Sequence, residues 1–511
     1  MKKIVVYLII LLVLGGLLEY SNNIFNVSAE VNVQKKLSYI INVFGSGNAS
    51  VRIIFSSLAK GIFSIYLPRY EHVTISIFNG TVKWLENKSI GYWYYLAKFK
   101  YFSYPGKRIN VKFEYTFPWA SLMVDDKGWF MTPLIGTDND IDVIVNISIP
   151  NYYKDIFFVP SPVWEKNGRF EFRLKNTING SRVTIYYFLK DKINDISISE
   201  TINKTTITVH TPPYYELFAR KIIDVMKKSA KDLEYVFAGL PERIDFKFFL
   251  PKDFPTTLGY VMGEDINIGG KGPININLAL IRFVEGYLET TVVHEYIHLA
   301  LGRIGVEANN KLRWFHEGVA QYLSLLICQN IGINVTDIKM TLDKGAMRLA
   351  PPFGYLQEWT TGPQQGMYYL ASYKIVKELA VKYGDIEFFR KFSLEAQKFG
   401  KIDTNEDLVK VISKATGQDQ FSYFESLGFT LVKIDDGKKL PFGDINTLKI
   451  IGGIIIVLLV VVVIYIIFFG HRRKETYKVC PYCSSKIPAD ALYCPYCGMR
   501  QNDILYEEYL D

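Results

Sequence analysis

The sequence predicts a multidomain chain: a β-rich N-terminal domain, an α-rich α+β domain, a single transmembrane helix and a small metal-bound tail. Three observations carry that expectation. Apolar residues alternate with polar ones at period two from about 37 to 210, and longer helix-like patterns take over from about 214 to 430. A run of twenty uncharged residues, Ile450 to Phe469, then precedes two closely spaced pairs of cysteines.

The chain has 511 residues, 49% hydrophobic and 22% charged, which excludes a disordered protein. Lys+Arg 59 against Asp+Glu 51 leaves +8, too dilute over this length to indicate a nucleic-acid partner. The mean hydropathy is +0.09, and two terminal segments carry its positive sign. The first follows Lys2 and Lys3: fifteen uncharged residues from Ile4 to Leu18, the pattern of a secretory signal. A small-residue cleavage pattern, Val27-Ser28-Ala29, lies far from that apolar stretch. Residues 1–29 therefore read as a signal peptide or an uncleaved N-terminal anchor.

Residues 30–210 form the β-rich domain. Ile109, Val111, Phe113, Tyr115 and Phe117 alternate with Asn110, Lys112, Glu114 and Thr116, as half-buried antiparallel strands require. Val73–Ile77, Ile141–Ile149 and Phe170–Leu174 repeat the pattern, which suits a β-sandwich or an open β-saddle. No catalytic constellation appears in it.

Residues 211–432 differ in character. Tyr214 to Phe237 reads as a helix closed by Gly239 and Pro241, and Ile244 to Leu250 as a strand. Ile274 to Leu280 reads as a further strand, an edge on which an extended peptide could pair. Helices then dominate. Within them stands His294-Glu295-Tyr296-Ile297-His298, a pattern expected only roughly 0.004 times by chance in a chain with 6 histidines. On a helix, residues i and i+4 share a face, so His294 and His298 can reach one zinc ion, with Glu295 facing its water. Glu317, in Trp314-Phe315-His316-Glu317-Gly318-Val319-Ala320, lies 19 positions after His298 and offers a third ligand.

This pair of motifs resembles the gluzincin clan of zinc metallopeptidases, which includes thermolysin and aminopeptidase-N-like enzymes. The resemblance covers about 210 to 430 and is strongest over 290 to 325. It implies a catalytic zinc on His294, His298 and Glu317, with Glu295 as general base. It also implies a tyrosine at the head of a later helix, donating to the oxyanion. Tyr368 fits that role, with Tyr369 and Tyr373 as rivals. The Gly-x-Met-Glu-Asn strand of the aminopeptidases has no counterpart in Ile268-Gly269-Gly270-Lys271-Gly272-Pro273, and Glu264 and Asp265 are out of pattern. An endopeptidase is thus expected over an aminopeptidase. His316 is expected beside the ligands or at the surface, and Cys328, among Leu325, Leu326 and Ile327, as a buried structural thiol. The bland alternatives are two core histidines, or a gluzincin domain that binds zinc without catalysis in an adhesion or receptor-like surface protein.

Residues 433–447 read as a linker and 448–469 as the transmembrane helix, since twenty residues at 1.5 Å rise span about 30 Å of hydrocarbon. His471, Arg472, Arg473 and Lys474 follow, which places 470–511 in the cytoplasm and the larger part outside. Eight Asn-x-Ser/Thr sequons, at Asn26, Asn48, Asn79, Asn87, Asn146, Asn179, Asn203 and Asn334, all precede the span. In the tail, Cys480-Pro-Tyr-Cys483 and Cys494-Pro-Tyr-Cys497 supply four thiolates for a structural zinc, a compact zinc ribbon over 478–500. A thioredoxin-like redox pair is the rival reading. The expected partners are a peptide or protein substrate, the membrane, and a cytoplasmic protein for the ribbon.

Overall fold

The computed structural model describes residues 35–432, apart from 70, 91–92, 138–140, 176, 252–256, 284, 361 and 363, together with 477–479 and 486–488. The 1–29 segment, the Asn26 sequon, the 433–447 linker, the 448–469 apolar run and the cysteines Cys480, Cys483, Cys494 and Cys497 lie outside these residues. Among the described residues no helix is long and apolar enough to cross a membrane. The chain divides into two units, Met1–Thr430 and Leu431–Asp511. In the second, Tyr477–Val479 pairs antiparallel with Lys486–Pro488.

The first unit begins with three sheets. Seven strands run in the order Trp164–Lys166, Arg169–Leu174, Val143–Ser148, Lys36–Val43, Ala49–Ser57, Ile109–Phe117 and Thr74–Phe78. A three-stranded sheet orders Gly61–Pro68, Tyr94–Ser103 and Gly80–Ile90, and a four-stranded one Tyr153–Val159, Thr184–Leu189, Lys127–Met131 and Ser121–Val124. The alternation explains the layering. Ile109, Val111, Phe113, Tyr115 and Phe117 all point inward, and the intervening residues do not. The inward faces of all three sheets share one core, where the Phe55 and Phe63 rings stack 3.8 Å apart across two of them. The arrangement is that of a sandwich.

The period-two pattern does not stop where this layered region stops. Ile196–Ile202 and Thr205–Thr211, assigned by their alternation to the β-rich domain, are built into a different sheet. It runs Ile196–Ile202, Thr205–Thr211, Arg243–Phe249, Pro273–Asn277 and Gly259–Tyr260. Period two specifies a strand but not its partners, which are a tertiary choice. A 3-10 turn at Pro213–Tyr215 leads into the helix Glu216–Phe237, which returns the chain to the parallel strand Arg243–Phe249. The helix lays Phe218, Ile222, Met226, Leu233 and Val236 on its buried side. It ends at Ala238 in the left-handed region, one residue before Gly239.

The Ile274–Leu280 run is corrected in two ways. The strand ends at Asn277, whose side-chain oxygen accepts from the Ala279 N–H at 3.0 Å and starts a short helix, Leu278–Ile281. It is also not the edge, because Gly259–Tyr260 pairs antiparallel along its outer side. The helices that follow include Tyr287–Arg303, Arg313–Asn330 and Gln365–Tyr383. The junction with the sandwich is closely packed. Met123 N–H donates to the Tyr215 hydroxyl at 2.7 Å, and Trp119 packs on Phe218. The buried Arg282 guanidinium lies over Phe117, Trp129 and Phe283 and donates to the Trp119 carbonyl.

Candidate metal centre

The helix Tyr287–Arg303 is apolar nearly all round and is buried from Tyr287 to Leu301 except at Glu289, as a helix with no polar face must be. His294 and His298 are one turn apart, and their Nε2 atoms stand 3.2 Å from each other. The helix Arg313–Asn330 packs against it and brings Glu317 Oε2 to 3.5 Å from His294 Nε2 and 3.6 Å from His298 Nε2. Two sequence features fix this second helix. Trp314 is fully buried, donates from Nε1 to Asn405 Oδ1 at 2.9 Å, and meets the Phe424 and Phe429 rings. Gly318 lets the helix Gln365–Tyr383 approach, since a Cβ there would fall 2.6 Å from the Ser372 carbonyl oxygen.

These three residues could hold a metal ion. Tetrahedral zinc, with bonds of about 2.0–2.2 Å, separates its ligand atoms by roughly 3.3–3.6 Å; the two distances to Glu317 fall in that range and the 3.2 Å between the histidines lies just below it. Glu317 Oε2 is buried without a hydrogen-bond partner among the described residues, a costly state for a carboxylate unless a cation faces it. Two of the donors, His294 and Glu317, are also in the protonation state a metal needs. Burial pushes His294 down to about 4, so its imidazole is neutral near pH 7. Burial would raise the Glu317 carboxyl, but the His294 and His298 rings and Arg313 outweigh it and hold the group below the usual carboxylate range.

Two of the three residues, Glu317 and His298, have support behind them. Arg313, four residues before Glu317 on the same helix face, sets its Nε 3.4 Å from Glu317 Oε1. Its guanidinium lies 5.1 Å from the Trp359 ring and also bonds Tyr369. His316 is buried, not at the surface. Its Nδ1 is 3.5 Å from His298 Nδ1 and its Nε2 is 3.3 Å from the Val306 carbonyl oxygen. Burial, followed by the nearby His298, pushes His316 down to about 3, so it too is neutral. The carbonyl can only accept, so His316 carries its proton on Nε2 and presents a bare Nδ1 to His298. A hydrogen bond between the two Nδ1 atoms would put the His298 proton on Nδ1 and leave Nε2 for a metal. We expect His316→Leu to lower zinc affinity about 10- to 100-fold, with His316→Gln, which keeps an acceptor, losing less. Competition against a chromophoric chelator measures both, and equal losses would refute the role.

Glu295 is buried beside the three donors but not among them, and its Oε2 has no partner among the described residues. Burial and the Glu317 charge push its carboxyl well above the usual range, so its ionised form is a stronger base than a free carboxylate. Gly259 covers it: a Cβ there would lie 2.8 Å from Glu295 Cγ and 3.0 Å from Oε1. Gly259→Ala should therefore displace the carboxylate, cutting any turnover that depends on Glu295 about 100-fold while metal content is unchanged. Turnover and metal analysis on one preparation test this, and full activity would show that Glu295 tolerates the methyl.

The tyrosines separate. Tyr368, near the start of Gln365–Tyr383, puts its hydroxyl 3.2 Å from Thr360 Oγ1 and stacks on Tyr355. Tyr369 reaches Arg313, and through it the far side of Glu317. Tyr373 is fully buried and donates to Asp343 Oδ1 at 2.8 Å. Cys328 is fully buried in the helix Arg313–Asn330, and burial raises its thiol. Sequence reasoning missed Arg313 as a partner of Glu317, although its four-residue spacing from Glu317 is visible in the chain.

No protein-family model and no curated protein matches the sequence. Among solved structures, the chain is similar to an aminopeptidase N family protein from Idiomarina loihiensis. The identity is 11% and the TM-score 0.35, over 78% of this chain and 77% of that one.

Proposed function

We propose that this chain is a zinc-dependent peptidase. The observation that carries the reading is the buried Glu295 carboxyl, with one oxygen unpartnered among the described residues, beside a convergent His294, His298 and Glu317. Zinc held by those three would polarise a substrate carbonyl and acidify water. Glu295 accepts the proton of the attacking water as the new C–O bond forms. It then delivers that proton to the amide nitrogen as the C–N bond breaks, leaving a carboxylic acid and an amine. Gly259–Tyr260, the last strand of its sheet among the described residues, lies beside Glu295. A donor to the oxyanion would come from Tyr368, released from Thr360, or from Tyr369 next to it.

Cleavage within chains rather than at their N-termini fits the edge strand. Gly259-Tyr260 continues into Val261-Met262-Gly263, and the first acid there, Glu264, is exposed in the helix Gly263–Asn267. With the apolar run 448–469 and the basic residues after it, this supports a membrane-anchored enzyme facing outward. The tail cysteines would hold a second, structural zinc. The detergent-solubilised full-length chain should carry about two zinc ions, cleave an unfolded protein at internal sites, stop on chelation and recover with zinc. A zinc-loaded chain that cleaves nothing would instead support a binding protein.

A further inference from the structure

Three turns close one end of the sandwich. Residues 57–61 join Ala49–Ser57 to Gly61–Pro68, 78–80 join Thr74–Phe78 to Gly80–Ile90, and 103–109 join Tyr94–Ser103 to Ile109–Phe117. They are tied together. Ser103 Oγ donates to the Leu58 carbonyl at 3.0 Å, the Tyr104 N–H to the Asn79 carbonyl at 2.9 Å, and Asn79 Nδ2 to the Arg108 carbonyl at 3.2 Å. This end carries five large apolar or aromatic side chains, Leu58, Ile62, Phe78, Phe102 and Tyr104, each between 38% and 51% exposed. Single exposed apolar residues are ordinary, but five around turns bonded to one another form a patch. We propose that this end of the sandwich docks on an anionic bilayer surface. The proposal does not need the peptidase reading, but it takes its occupant from the membrane-anchored one.

The strand register fixes which end this is. Lys36 stands opposite Ser56, and Ser57 opposite Ile109, so the strand Lys36–Val43 begins here. At the other end Val43 stands opposite Ala49, and Ala49 opposite Phe117. That end leads into Trp119 and Met123, which meet Phe218 and Tyr215 at the junction with the helices. The three turns thus lie opposite the junction. Lys36 follows the apolar run Ile4–Leu18 by 18 residues, at most about 65 Å of extended chain. An anchor formed by that run would keep this end within reach of a bilayer.

The charge is one-sided. Residues 57–62, 78–83 and 100–109 hold Lys60, Lys83, Lys100, Lys107 and Arg108 and no Asp or Glu. The four lysines are exposed. Asp142, at the same end, stands on the far side of Lys36–Val43 from the turns. Lys100 Nζ lies 5.2 Å from the Phe102 ring, and Lys112 Nζ 5.9 Å from the Phe78 ring. Rings with ammonium groups beside them suit the headgroup level of a bilayer. There the ring meets the acyl boundary and the cation meets lipid phosphate. A second copy of this end would set like charges against each other, which disfavours it as the occupant.

The test is amide hydrogen exchange, read by mass spectrometry, on the full-length chain in three settings: detergent, nanodiscs of phosphatidylcholine, and nanodiscs of phosphatidylcholine mixed with phosphatidylglycerol. In the anionic discs, exchange over 57–62, 78–83 and 100–109 should slow about 10-fold or more relative to the other two settings, while the opposite turn, 44–48, is unchanged. Lys60→Glu, Lys100→Glu and Lys107→Glu together should abolish the slowing. Each lysine near an anionic surface contributes about 5-fold, so losing three weakens the contact by at least about 100-fold. Slowing that both lipids give alike, or that the triple variant keeps, overturns the anionic surface as the occupant. Equal slowing in all three settings means that the chain's own residues or a second copy cover this end, and overturns the proposal, as does no slowing in any. A chain that does not enter the discs overturns the anchored reading. Flotation with preformed vesicles of the same two lipid compositions then decides the surface alone: capture by the anionic vesicles only supports it, and any other result overturns it.

Discussion

Replacing Glu295 by Gln is expected to cut peptide hydrolysis by at least about 100-fold, the lower range for losing a positioned acid–base group, while zinc content stays unchanged. The geometry separates the two outcomes. The atoms that converge are His294 Nε2, His298 Nε2 and Glu317 Oε2, and Glu295 is none of them. Gln matches Glu in shape, so the close cover by Gly259 is kept. Glu295 Oε2 has no hydrogen bond to lose among the described residues, and Gln places no charge beside Glu317. Folding should therefore survive, and a dead, zinc-loaded protein is the predicted result. Retained turnover would remove Glu295 from the mechanism, and lost zinc would mean that the carboxylate takes part in metal binding. The comparison with Gly259→Ala is informative, because that variant keeps the base and only moves it.

The parts of this site that are legible in the sequence are those governed by local geometry. His294 and His298 are four apart on one helix, so their convergence follows from the helical turn alone. Glu317 is a different case. Its distance along the chain suggested a role through resemblance, but its approach to the histidines depends on how two helices cross. The edge strand was out of reach because Gly259–Tyr260 has only two residues, too few for any period to show. Its neighbour Pro273–Asn277 carries the apolar alternation and drew the assignment instead. The strands from Ile196 to Thr211 show the same limit at the level of sheets: alternation marks them as strands, and only tertiary packing decides which sheet they join. His316 could not be placed either, because its partners are a ring eighteen residues away and a carbonyl ten residues away.

Glu317→Ala should lose the catalytic zinc and also weaken the metal-free protein, and the second effect is the more revealing. Glu317 is both a donor to the metal position and the carboxylate facing Arg313, and both side chains are almost fully buried. Burial pulls the Arg313 pKa down, while Tyr369 and Glu317 more than offset it, so the guanidinium stays charged. Taking the carboxylate away leaves that cation without its acid, a loss of about 3–5 kcal/mol for a broken buried pair. Replacing Arg313 by Leu in the same chain removes the stranded charge and should recover a large part of the stability. It cannot restore the metal, because two imidazoles alone are one donor short of the set. Urea unfolding in excess chelator reads the first effect without any contribution from bound ion, and metal analysis reads the second. If Glu317→Ala matches the metal-free wild type in stability, the Arg313 contact is not holding the helix start. If it keeps its zinc, the third donor lies elsewhere. The expected pattern, in which stability is rescued by Arg313→Leu and zinc is not, would show that one carboxylate serves two separable ends: Oε1 toward the structural arginine and Oε2 toward the metal position.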